Sequence, residues 1–204
     1  MKIYIDFDGT IYNSGKLYKN FINIFNNYNI DTKYIEETLN NSNQKDLDNI
    51  ANKIIKEKNL NKNIIQELNN INTKDLVFKD IIPFLEKYTK KYDLILLTLG
   101  NHDYQEKKIN STNISKYFKD IIITNKDKSK LESIDYINGI FIDNNPIELK
   151  KFYNSKATNL IRIRRNEDKY SKLDLNLFNI PEFTSFKELD QSNHLQKIGV
   201  KTYE

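Results

Sequence analysis

The sequence predicts an α/β fold, with a three-layer core around a parallel sheet that is interrupted after its first strand by an all-helical insert. Three observations carry that reading. A short β-rich run, Lys2 to Asp6 (KIYID), stops at Asp8-Gly9, as a buried strand ending in a turn does. From about Lys16 to Asn72 the apolar residues follow helical spacing only. Beyond Leu76, near-continuous apolar runs alternate with helical stretches, the pattern of a parallel sheet covered on both faces.

Taken in order, the insert shows four apolar stripes. Leu17, Phe21, Ile24, Phe25 and Tyr28 form the first, and Tyr34, Ile35 and Leu39 a shorter second. Leu47, Ile50, Ala51, Ile54 and Ile55 make the third, and Leu60, Ile64, Ile65, Leu68 and Ile71 the fourth. Polar, Asn-rich joints separate them, and the stripes are packing faces. Pro83 suits the first turn of a helix running to about Lys91. Strands are expected at Leu94–Thr98 (LILLT), Ile121–Thr124 (IIIT), Ile140–Asp143 (IFID) and Asn159–Ile163. Helices are expected through Ile109, around Leu131–Ile137, and from Pro146 onward. Arg162, Arg164 and Arg165 follow or alternate with Ile161 and Ile163, which suggests the solvent side or end of an edge strand. From about Gln191 the chain reads as a polar tail. The expected division is a core of residues 1–14 and 76–204, its last part (191–204) a tail, with a helical cap at 15–75.

Composition narrows the function. The chain of 204 residues can bury a full core. Mean hydropathy is −0.69 because Asn and Lys abound, yet the apolar residues recur at regular spacing, which marks a folded chain. The 32 basic and 28 acidic residues interleave, with no long basic run, zinc-finger spacing or RNA-binding aromatic motif. Nucleic acid is therefore not the expected partner, whereas a small anionic substrate is compatible with this balance. The lack of Cys excludes disulfides, thiolate nucleophiles and Cys-ligated metals. No apolar run is long enough to span a bilayer as a helix, and Asp6 and Asp8 come too early for a secretory leader. The expected setting is cytoplasmic, with no membrane partner. His102 and His194 are too few and scattered for a zinc site. Gly9 to Leu17 imitates a phosphate loop only superficially, because one residue too many precedes Gly15-Lys16 and Leu17 stands where Ser or Thr is needed.

Three expected strands end in polar residues: Asp6-Phe7-Asp8-Gly9-Thr10, Thr98 and Asp143. Ligands of such sheets bind beyond the carboxyl ends of the strands, so these distant positions should converge on one crevice. DFDGT after the first strand strongly resembles the first motif of the haloacid dehalogenase-like hydrolases. Thr98 within LLTLGN resembles their second motif, a Lys ahead of IFIDNNP the third, and Asp143 the fourth. The resemblance runs from Met1 to about Arg165 and includes the helical insert.

The resemblance implies a Rossmann-like core with a four-helix cap, and Mg²⁺-dependent hydrolysis of a small phosphorylated metabolite. Asp6 would attack phosphorus and become an aspartyl-phosphate. Mg²⁺ would rest on the Asp6 and Asp143 carboxylates and the Asp8 carbonyl. Asn144 stands where related sequences often have a second acid, and would hold a metal-bound water. Glu148 sits at a spacing where some members carry an acid. Asp8 would protonate the leaving oxygen and then activate water. Thr98 would bond a phosphate oxygen, and backbone N–H groups of Phe7, Asp8, Leu99 and Gly100 would add donors.

Among Lys126, Lys128 and Lys130 in NKDKSK, Lys130 is preferred as the catalytic lysine. It has Ile134 and Ile137 behind it at helical spacing. Lys128, backed by Leu131 and Ile134, is the alternative. Asp8 speaks against carbon–halogen cleavage, which needs no proton delivered to an alkoxide. The rival readings are a phosphomutase, a phosphonate hydrolase, and a non-catalytic binding protein suggested by Asn144.

Overall fold

The computed structural model describes residues 1–42, 46–166, 168–174 and 179–201, the last three by backbone alone. Its centre is a six-stranded sheet made of β1 (Lys2–Ile5), β2 (Asp93–Leu99), β3 (Asp120–Thr124), β4 (Ile140–Asp143), β5 (Asn159–Ile163) and β6 (Glu182–Phe183). All pairings are parallel and the order is β3-β2-β1-β4-β5-β6. The chain runs outward from β1 through β2 to β3, then returns to β4 on the other side of β1. That reversal opens a crevice between the carboxyl ends of β1 and β4. Register fixes its floor: Ile5 pairs with Ile142, and the N–H of Asp6 donates to the Ile142 carbonyl at 2.9 Å.

Strand alternation sorts the core into two layers. Ile3, Ile5, Leu94, Leu96, Ile140, Ile142, Ile161 and Ile163 share one cluster with α5 (Ile81–Tyr88), α6 (His102–Ser111) and α8 (Phe186–Gln191). Tyr4, Ile95, Leu97, Phe141 and Leu160 face the other way, onto α7 (Pro146–Asn154). We call these the first and second faces of the sheet.

The segment between β1 and α5 is helical, as its stripes predict: α1 (Ser14–Asn27), α2 (Thr32–Asn40), α3 (Leu47–Glu57) and α4 (Asn63–Asn69). The Asn-rich joints are functional turn chemistry. Asn13, Asp31 and Asp46 cap the starts of α1, α2 and α3 by accepting backbone N–H bonds. Asn29 and Asn59 take positive φ just past helix ends, a conformation Asn tolerates better than most residues. The buried faces, Leu17, Phe21 and Phe25 on α1 and Ile50, Ile54 and Ile55 on α3, join the first-face cluster without a break. Each such side chain contributes about 1.5–3 kcal/mol by leaving water.

Three sequence expectations are corrected. No helix spans Leu131–Ile137; a 3-10 turn at Lys128–Lys130 is followed by further turns, and Ile137 is exposed. Local side chains take the backbone bonds a helix would need. Asp127 accepts from Ser129 N–H, Asp135 accepts from Asn138 N–H, and the Tyr136 hydroxyl donates to the Leu131 carbonyl. Second, β5 is not an edge strand: the two-residue β6, too short to read from sequence, pairs outside it. Arg162 is consequently 2% exposed, donating to Glu182 and to the Tyr170 carbonyl. Third, the tail includes helix α9 (His194–Lys201), with Leu195 fully buried.

Candidate active site

The turn after β1 carries the first two carboxylates. Gly9 takes φ +83° there, and a Cβ on it would stand 2.2 Å from Nδ2 of Asn144. Only glycine meets both conditions without strain. The turn is tied from beneath, where Arg165 donates to the Thr10 carbonyl at 3.3 Å and to Asp80 at 2.9 Å. Asp6 and Asp8, alternating at the strand end, both face one cavity of about 590 Å³, along with Thr98, Leu99, Gly100, Lys128, Asp143 and Asn144.

Lys128 joins the two carboxylates of the crevice. Its Nζ lies 2.9 Å from Oδ1 of Asp6 and 2.7 Å from Oδ2 of Asp143, and it is 2% exposed. The preference for Lys130 is corrected on this geometry. The 3-10 turn sends Lys128 inward, while Lys130 is exposed and does not line the cavity. Three-residue periodicity, not the helical spacing assumed from the sequence, governs which lysine points in.

One ammonium between two buried carboxylates leaves the group short of positive charge. Burial, then the nearby Asp143 charge, push the Asp6 carboxyl up to about 8, against the pull of Lys128. Lys128 is in turn held above its ordinary range, the two carboxylates outweighing its burial.

Asp8 sits in a different setting. Burial would raise it, but the ammonium of Lys108 and hydrogen bonds from Gln105 and Lys108 prevail and hold it below the usual carboxylate range. Lys108 Nζ is 2.8 Å from both Oδ1 and Oδ2, and Gln105 Nε2 is 2.8 Å from Oδ2. Gln105 also donates to Thr98 Oγ1 at 3.3 Å, so α6 links the second motif to the first.

Sequence reasoning missed Lys108 and Gln105, and it also missed Thr10 and Asp168. A signal existed for the first two. Tyr104 and Ile109 are the apolar residues of α6 that face inward, and helical spacing puts positions 105 and 108 on that same inward stripe.

Two further expectations are corrected. Asn144 does not turn its amide toward Asp6 and Asp143. Its Oδ1 accepts from Thr10 Oγ1 at 3.2 Å, its Nδ2 donates to Asp168 at 2.5 Å, and its own N–H donates to Thr10 Oγ1 at 2.9 Å. The single Thr10 hydroxyl proton also has Oδ2 of Asp6 within reach at 3.3 Å, so it is shared between the two acceptors and couples Asn144 to the carboxylate. Gly100 N–H is not open to a phosphate either, because it continues the sheet by donating to the Thr124 carbonyl at 2.8 Å. Phe7 contributes no side chain to the cavity; its ring is buried and stacked on Tyr12. Thr98, 1% exposed, and Leu99 remain on the cavity wall.

The donor set fits a hard divalent cation. Oδ1 of Asp6 and Oδ2 of Asp143 converge on the Lys128 ammonium, and burial with mutual repulsion leaves this pair of carboxylates short of positive charge. Oε2 of Glu148, on the same cavity, is buried and has no hydrogen-bond partner among the described residues. No cluster of three or more His, Cys, Asp or Glu side chains suited to a metal occurs among those residues. Two carboxylates would suit Mg²⁺, which keeps several waters, better than a cation that demands an all-protein cage.

Comparison with known proteins agrees with this architecture. The family model described as haloacid dehalogenase-like hydrolase matches residues 3–139. The chain belongs to that family of hydrolases. Its fold is shared with a HAD phosphatase from Thermococcus onnurineus (19% identity, TM-score 0.66, 95% of this chain and 98% of the other). It is shared likewise with a 2-haloacid dehalogenase from Pseudomonas syringae (11%, 0.62, 93% and 96%). A third is a protein of Bacillus subtilis assigned as a HAD-hydrolase, YfnB, with magnesium bound (13%, 0.62, 95% and 98%). Comparison with curated proteins finds no match. No helix among the described residues is long and apolar enough to cross a membrane.

Proposed function

We propose that this hydrolase is a Mg²⁺-dependent phosphatase that cleaves a small phosphomonoester through an aspartyl-phosphate on Asp6, with residues 15–75 acting as a cap. The observation that carries the reading is Asp8, a second carboxylate two residues after Asp6, facing the same cavity. Displacing an alkoxide from phosphorus needs a proton donor, whereas expelling a halide does not. Magnesium, when bound, would neutralise charge between the carboxylates and the incoming phosphate.

The chain's own residues do the rest. Lys128 holds Asp6 and Asp143 in place and offsets the charge that collects as the carboxylate nears a phosphoryl oxygen. Thr10 fixes the rotation of the Asp6 carboxylate by bonding Oδ2, which leaves Oδ1 on the Lys128 side. Thr98 offers its hydroxyl to the transferring group. Asp8, held ionised by Lys108 until that contact is released, would take a proton from solvent, deliver it to the leaving oxygen and then recover one from the water that attacks the intermediate. Helix α1 brings Ser14 and Tyr18 to the cavity wall, where the cap would limit the access of bulk water.

The test is phosphate release from a generic aryl phosphate, with Mg²⁺ and with chelator, for wild type and Asp6→Asn. The phenolate of such an ester leaves readily, so it reads nucleophilic attack with little demand on the proton donor. Release that needs both Mg²⁺ and Asp6 supports the reading. Release untouched by either change, or none from a broad panel of phosphometabolites, ends it.

A further inference from the structure

The cavity's two buried ammonium groups come from opposite faces of the sheet. Lys128 arrives with the second-face layer and answers Asp6 and Asp143. Lys108 arrives on α6 from the first face and, among the described residues, has Asp8 as its one ion-pair partner. Its remaining surroundings are aromatic, with the rings of Phe7, Tyr12 and Tyr104 at 5.3, 5.5 and 5.2 Å. Ring faces attract a cation but do not neutralise it, and a desolvated ammonium without an anion is costly.

This arrangement constrains the leaving group. On the phosphatase reading, the ester oxygen must come to the Asp8 carboxylate, yet both Asp8 oxygens are engaged by Lys108 and one also by Gln105. For the ester oxygen to enter, Lys108 has to release at least one contact. Space for that shift exists. Lys108 and Tyr104 also line a second cavity of about 190 Å³, whose other walls include Leu17, Phe21 and Leu47. The carboxylate on its walls, Asp48, is already paired with Lys107 at 2.6 Å, so that space supplies no free replacement anion. A leaving group with its own anionic oxygens beside the ester supplies one, and a neutral leaving group does not.

We propose that Lys108 is a specificity residue that pairs with an anionic group on the leaving-group side. The substrates are then small phosphomonoesters bearing a second anion, a carboxylate or another phosphate, close to the scissile ester. The inference rests on the phosphatase reading above. It requires that Asp8 and Lys108 lie beside the leaving group while Lys128 lies beside the transferring phosphoryl.

The experiment compares kcat/KM for three esters of similar length: phosphoglycolate for the carboxylate arm, propane-1,3-diol bisphosphate for the phosphate arm, and n-propyl phosphate as the neutral reference. Wild type should prefer one anionic ester over the neutral one by about 100-fold, as expected where a buried polar group is left unpaired by the wrong substrate. In Lys108→Met that preference should shrink to within about threefold, and Lys108→Arg should keep most of it. Because the preference is a ratio within one preparation, loss of folded protein in a variant leaves it unchanged. A wild type with no preference, or a Lys108→Met enzyme with the same preference, overturns the inference. If the aryl phosphate is turned over with Mg²⁺ in either case, the phosphatase reading stands while this one falls. Failure on the aryl phosphate, on all three esters and on the broad panel of phosphometabolites overturns the reading beneath it.

Discussion

Asp6 and Asp8 are separated by one residue, equally committed to the cavity, and pushed in opposite directions by their surroundings. Asp6 shares the single ammonium of Lys128 with Asp143 and is raised to about 8. Asp8 has the whole of Lys108, with Gln105 added, and is held low. The difference is one of counting: two carboxylates per cation on one wall, one per cation on the other. The first wall has a deficit of positive charge. The second is balanced, and changes only when something brings a new anion to it. Two identical residues on one side of a strand end can thus sit in two electrostatic environments.

The sharpest way to break this comparison is to remove the shared cation. Lys128→Met should lower kcat/KM for an aryl phosphate by about 10³-fold, since it removes charge stabilisation at the reacting group. Lys130→Ala, an exposed change, should stay within about twofold. Equal losses in the two variants would contradict the assignment of Lys128.

On the opposite wall, Asp8→Asn should cost about 10²–10⁴-fold with an alkyl ester, where the leaving oxygen needs a proton. The loss should be smaller with an aryl ester. A loss independent of the leaving group would remove Asp8 from the proton-transfer role and leave it a structural partner of Lys108.

Gly9 sits beneath both walls. Gly9→Ala should destabilise the protein by about 1–3 kcal/mol, from positive φ and from a Cβ pressed onto the Asn144 amide. Urea unfolding measures it, and an unchanged midpoint would mean that the turn relaxes freely.

A further expected effect is a slope. In metal-free protein the folded state keeps the Asp6 proton above its ordinary value of 3.8, until about 8. That contribution to stability is therefore fully present below 3.8 and is lost as pH rises through about 8. The loss should approach about 1.4 kcal/mol per pH unit inside the window. Chemical unfolding with chelator across that window, for wild type and Asp6→Asn, checks it. The slope should be absent in the variant and reduced by Mg²⁺. A wild type whose stability rises with pH there would reverse the sign and contradict the crowded-carboxylate picture.

Much of this was legible before any coordinates, and the reason is local. Strand-end carboxylates such as Asp6 and Asp143 are announced by the apolar run before them, and the four helical stripes of the insert by their period. What escaped depended on the geometry of short elements and on contacts distant in sequence. Lys128 rather than Lys130 points inward because the segment is a 3-10 turn stabilised by Asp127 and Tyr136, and not the helix that Ile134 and Ile137 suggest. Arg162 is buried because a two-residue strand, with no pattern of its own, lies outside β5. Asn144 looked like a substituted metal ligand, but its partners, Thr10 and Asp168, are 134 and 24 positions away. Gln105 and Lys108 were readable in principle, as polar residues on the inward stripe of α6.

The central claim is that phosphate passes through Asp6. The most direct measurement is rapid quenching of the enzyme during turnover of a phosphomonoester with Mg²⁺, followed by borohydride reduction and mass spectrometry of the N-terminal peptide. The account predicts that Asp6 alone is converted to the reduced derivative of an acyl-phosphate, that Asp8 is untouched, and that Asp6→Asn gives no such product. Phosphate released at full rate with Asp6 unmodified, or the modification found at Asp8 or Asp143 instead, would contradict it.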